Sequence, residues 1–68
     1  MNKLFLSRLL YTEEYIRKAI IDYQNLTTIS LIEENQYFVC VFEKCKYNVD
    51  LTVHEFENYV IGLCAKGL

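Results

Sequence analysis

Tyr37-Phe38-Val39-Cys40-Val41-Phe42-Glu43-Lys44 is the most β-prone run in the chain, and it is apolar on both alternating faces. Tyr37, Val39 and Val41 point to one side, while Phe38, Cys40 and Phe42 point to the other. A strand that is apolar on both sides sits in the middle of its sheet and is covered above and below. The chain has 68 residues, enough for one domain spanning 1–68. So short a domain buries only about 60% of its unfolded surface, and its stability margin is about 3–5 kcal/mol. The central strand therefore raises the question of what covers its second face.

The flanking segments read as β-α-β-β-α. Lys3–Tyr11 alternates, with Leu4, Leu6 and Leu10 opposite Phe5, Ser7 and Leu9, and gives a first strand. Thr12 is a helix N-cap whose hydroxyl can accept from the first turn, and Glu13 and Glu14 suit the positive end of the helix dipole. Tyr11 and Ile16 are spaced for a hydrophobic staple. The helix is expected to run to about Asn25, with Ile16, Ala19, Ile20 and Tyr23 inward and Glu13–Arg17 and Glu14–Lys18 paired outside. Ile21 falls among those charges.

Thr27–Glu33 is the second strand. Glu33–Gln36 is its turn into the third, with Asn35 suited to a positive φ. Thr52-Val53-His54-Glu55 has the pattern of a capping box, with Leu51 and Phe56 as staple, and predicts a last helix starting there. Its inner face is Val53, Phe56, Val60 and Leu63; Ile61 lies outside and Gly67 ends it.

The expected architecture is α+β: a three-stranded mixed sheet in order 1-3-2 with two helices on one face. The other face would carry either Phe38, Cys40 and Phe42 or Val39 and Val41. With the outward Ile21 and Ile61, these are the candidate interface residues, and a homodimer or a docked protein is the expected cover.

Charge and composition exclude several function classes. Seven Lys and Arg are scattered among nine acids for a net charge of −2, which is not a nucleic-acid footprint. No apolar run approaches a membrane span, and Met1–Leu10 lacks the features of a secretory signal, so a cytoplasmic protein is expected. Cys40, Cys45 and Cys64 are odd in number and do not form a disulfide framework. Cys40 and Cys64 read as small buried hydrophobes, and Cys45, beside Lys44 and Lys46, as an exposed thiol. A thiol or metal-binding protein using the three cysteines is the alternative reading, with His54 as the sole histidine available to it. No oxyanion-hole pattern or carboxylate pair points to catalysis. No enzyme activity and no cofactor are expected.

Tyr11-Thr12-Glu13-Glu14-Tyr15-Ile16-Arg17-Lys18-Ala19-Ile20-Ile21-Asp22-Tyr23 resembles the Y-S-x-E-A-I-x-K-A-A-Y opening of HxsD-like proteins, with Ile20 where that family commonly has alanine. Glu55, Phe56 and Asn58 are similar to its E-F-x-N segment. The resemblance implies a small accessory of His-Xaa-Ser peptide systems, which accompanies a radical-SAM maturase acting on a ribosomally made peptide. It assigns no catalytic residue. The expected role is a non-enzymatic module that binds maturase or precursor peptide through a sheet face or edge. A self-associating protein of another role, such as an antitoxin-like partner, is the remaining alternative.

Overall fold

In a computed structural model describing residues 2–67, the elements are β1 (Lys3–Ser7), α1 (Glu13–Asp22), β2 (Thr28–Glu33), β3 (Tyr37–Glu43) and α2 (Val49–Lys66). The sheet order is β1-β3-β2, with β3 central. β1 and β2 run in the same direction but do not pair. Both ladders are antiparallel, so the sheet is antiparallel and not mixed, because β3 separates the two parallel strands. Both helices pack on the face that carries Leu6 of β1, Phe38, Cys40 and Phe42 of β3 and Ile29 of β2. Ile16 and Ala19 of α1 and Phe56 and Val60 of α2 complete that core.

A run of aromatic contacts ties the layers together. Phe42 meets Phe56 edge-on at 5.2 Å between centroids, Phe56 meets Tyr23 edge-on at 5.3 Å, and Tyr23 tilts against Tyr59 at 5.5 Å. Such pairs add roughly 0.5–1.5 kcal/mol each beyond burial. At the surface end, Tyr59 Oη donates to Asp22 Oδ2 at 2.6 Å, which joins the two helices.

Several boundaries differ from the expected ones, each for a local reason. β1 stops at Ser7 because the Ser7 carbonyl accepts from the Leu10 and Tyr11 N–H groups, and its Oγ accepts from Leu9 N–H. That turn sends Leu9 and Leu10 into solvent and away from Leu4 and Leu6. α1 ends at Asp22, short of Asn25, where the chain tightens: Gln24 N–H donates to the Ile21 carbonyl and Leu26 N–H to the Tyr23 carbonyl, three residues back and not four. Thr12 has the extended backbone of an N-cap, but its hydroxyl makes no capping bond. Arg17 Nε does reach Glu13 Oε2, at 2.6 Å, whereas Lys18 turns to Asp22 and not to Glu14.

The last helix begins a turn earlier than the capping box implied. Asn48 is the N-cap, its Oδ1 accepting from Leu51 N–H at 2.9 Å. Thr52 then lies inside the helix, buried, with its hydroxyl donating to the Asn48 carbonyl at 2.8 Å. Leu51 is exposed and no staple with Phe56 forms. Among the described residues the non-glycine residue with positive φ is Lys44, at 54°, and not Asn35. That bend lets Lys46 N–H reach the Leu26 carbonyl. Gly67 caps α2 with right-handed backbone. Its lack of a side chain matters for space, since a Cβ there would collide with the Tyr15 phenol.

Two outcomes follow. Phe56→Ala is expected to cost about 3–5 kcal/mol, comparable to the whole margin of such a domain. Urea unfolding should find the variant largely unfolded, and Phe56→Leu folded but weakened. The Tyr59–Asp22 bond also sets a pH signature. The phenol's hydrogen bond, then Lys18, holds the Asp22 carboxyl below its usual range, and Tyr59 is raised by the same bond. A lowered acid contributes stability above its unfolded pKa of about 4 and loses it as pH falls through the lower folded value. A raised phenol contributes below its unfolded pKa of about 10 and loses it as pH rises through the higher folded value. The stability difference between wild type and Tyr59→Phe should be flat between those limits and shrink on both sides. A difference that kept growing below pH about 4 would contradict the assignment.

Candidate functional site: the open face of the sheet

The face of the sheet away from the helices is assembled by register. Lys3, Phe5 and Ser7 of β1 lie opposite Val41, Val39 and Tyr37 of β3. On the other side, Thr28, Ser30 and Ile32 of β2 lie opposite Glu43, Val41 and Val39. The middle row is therefore Phe5–Val39–Ile32, entirely apolar. Val39 is only 3% exposed although no helix covers it, because the flanking Phe5 (53% exposed) and Ile32 (48%) close over it. Tyr37 stands edge-on to Phe5 at 6.0 Å. Lys3, Ser30, Thr28 and Glu43 form a polar rim.

The band is modest in extent. Phe5 and Tyr37, each about half exposed, leave on the order of 100 Å² apiece. The apolar area is a few hundred Å², within the range where the largest patch on a monomer is often functional. It is well below the roughly 800 Å² per partner of a standard interface.

At one end the band opens into a cavity of about 390 Å³ lined by Ser7, Arg8, Leu9, Asn35, Gln36 and Tyr37. Arg8 contributes to that lining, but three contacts hold its guanidinium on the helix side of the sheet, beside Arg17 of α1. It stacks on the Phe38 ring at 4.7 Å, and its Nη1 reaches Glu33 Oε1 at 3.5 Å and donates to the Glu34 carbonyl at 3.3 Å. Leu9, 95% exposed, stands at the rim. The combined surface offers an apolar strip leading to the amide groups of Asn35 and Gln36. It can hold an extended or loop segment of another chain, but it places no nucleophile beside a base.

The expected interface residues separate into three groups. Phe38, Cys40 and Phe42 are core residues under the helices and are withdrawn from any surface. Val39 and Val41 belong to the open face. Ile21 and Ile61 are exposed on α1 and α2, apart from that face. Phe5 and Ile32 are the residues that sequence reasoning missed. Their signal lay in the strand register, since each sits opposite Val39 once the strands are aligned.

The cysteines are also dispersed by environment. Burial pushes the Cys40 thiol up to about 12. Cys45 is half-buried and not an exposed thiol. Thr27 Oγ1 donates to the Glu43 carbonyl at 3.0 Å and lies 3.2 Å from the Cys45 sulfur, which leaves the S–H as donor to the hydroxyl. Cys64 is half-buried against the core and His54 is exposed. Among the described residues no three His, Cys, Asp or Glu side chains converge as a metal site, and no helix is long and apolar enough to cross a membrane.

Comparison with protein-family models, curated proteins and solved structures gives no match.

Thiol labelling checks this arrangement. In the native protein at mildly alkaline pH, Cys45 and Cys64 should react with an alkylating reagent and Cys40 should not. Peptide mapping that found Cys40 labelled without denaturant would contradict its burial.

Proposed function

We propose that this protein is a non-enzymatic interaction module that holds a peptide or protein partner on the open face of its sheet. The observation that carries the reading is the Phe5–Val39–Ile32 row, an ordered apolar band on a face that the protein's own helices leave uncovered. Its size suits a short segment, and the adjoining cavity with Asn35 and Gln36 supplies polar partners for that segment's backbone. The HxsD-like resemblance of the α1 and α2 segments gives the partner its chemistry. It would be a ribosomally made precursor peptide or the radical-SAM maturase that modifies it, with this chain as the accessory that presents one to the other.

Titration calorimetry against a His-Xaa-Ser precursor peptide and against a radical-SAM maturase of such a system tests the proposal. Wild type should bind at least one of them. Phe5→Ser and Ile32→Ser should weaken binding at least about tenfold while remaining folded, because hot spots concentrate at central apolar anchors. Ile61→Ser, on the far side of α2, should bind as wild type. Binding of neither partner would sink the proposal, and so would binding indifferent to Phe5 and Ile32.

A further inference from the structure

The two edges of the sheet are not equivalent. Phe42 N–H donates to the Asn2 carbonyl and Arg8 N–H to the Gln36 carbonyl, so the even-numbered residues of β1 bond inward to β3. The outward backbone groups of β1 then belong to Lys3, Phe5 and Ser7, and a lysine on an edge strand is a common guard against strand addition. On the opposite side, Glu34 N–H donates to the Tyr37 carbonyl, so Thr28, Ser30 and Ile32 bond inward. The outward groups of β2 are those of Ile29, Leu31 and Glu33. From Thr28 to Ile32 this edge carries no charge, no proline and no glycine. Beside it runs a groove of about 210 Å³ lined by Arg17, Ile20, Ile21, Ile29 and Leu31. Ile21, 61% exposed on an otherwise charged helix surface, is its upper wall.

We propose that a second copy of this chain docks along the outer edge of β2, strand antiparallel to strand, to give a continuous six-stranded sheet. The proposal is independent of what occupies the open face. A two-fold axis perpendicular to the sheet makes the patch its own complement. The outward N–H and C=O groups of Ile29 and Leu31 meet the same groups of the copy. The α1 helices then lie side by side over the seam, so the copy's Ile20 and Ile21 close the groove that a lone foreign strand would leave half open.

The charges are compatible with that symmetry. The antiparallel arrangement sets the Glu33 end of one strand against the uncharged Thr27–Thr28 end of the other. Glu33 is moreover already accompanied by Arg8 at 3.5 Å and Arg17 at 3.7 Å. No bare like charges face each other. Six strand residues and one helix flank make a contact at the small end of stable interfaces, so association should depend on concentration.

Sedimentation velocity of the full chain from micromolar to millimolar concentration, combined with amide exchange, tests this. A reversible monomer–dimer equilibrium is expected. Ile21→Lys should weaken it at least about tenfold, and Phe5→Lys, on the open face of the other edge strand, should leave it unchanged. Circular dichroism should show both variants folded. The Ile29 and Leu31 amides should become protected only as dimer fills, whereas the Ser30 and Ile32 amides, bonded to β3, are protected throughout. A monomer at every concentration overturns the proposal. So does a dimer lost with Phe5→Lys but kept with Ile21→Lys, which would place the contact on the open face, or a dimer in which Ile29 and Leu31 exchange freely.

Discussion

The edge-to-face contact of Phe42 with Phe56 is the joint on which the layers depend. It connects the central strand to the long helix, and through Tyr23 it reaches the short one. A domain this small has no second core to fall back on, and its helices meet the sheet through few large side chains. Because Phe42 must point at α2, the parity of β3 is set. Phe38 and Cys40 go inward with it, and Val39, Val41 and Tyr37 are left on the opposite face. The open face is thus a by-product of how the core is closed, and its chemistry follows from which residues happen to sit at the odd positions.

That parity explains how much could be read without coordinates. The element order and the 1-3-2 sheet followed from β3 being apolar on both sides, because a strand of that kind has to be central. The inner faces of the helices followed from 3.6-residue spacing at Ile16 and Ala19 and at Phe56 and Val60. What spacing alone left open was which side of β3 the helices would choose. Both sides were rich enough, and the choice is made by the tertiary fit of Phe42 against Phe56. The boundaries slipped where a side chain had two plausible backbone partners. Ser7 closed a turn that alternation read as strand, and Asn48 captured Leu51 N–H before Thr52 could act as cap.

The candidate site was legible in part for the same reason. Val39 and Val41 were visible as half of an alternating strand. Phe5 and Ile32, which do the covering, belong to weaker strands and gain their meaning only from the rows in which they stand. The cysteines show the reverse case. Their spacing suggested a chemical question, and the fold separates them into a core position, a threonine-bonded loop position and a helix margin.

The position of β3 also has a consequence for how the chain reaches this state. β2 and β3 are neighbours in sequence and can pair as a hairpin after closing a short loop, whereas β1 joins β3 across about half the chain, from Ser7–Tyr37 to Lys3–Val41. Loop closure makes the second event the slower one. Until β1 arrives, β3 has one unpaired edge, Leu6 is missing from the core and nothing from β1 lies over Val39. One docking event thus completes the ladder, the interior and the outer surface together. The nascent chain is most vulnerable to pairing with the wrong strand just before its first strand, made earliest, comes back to take its place.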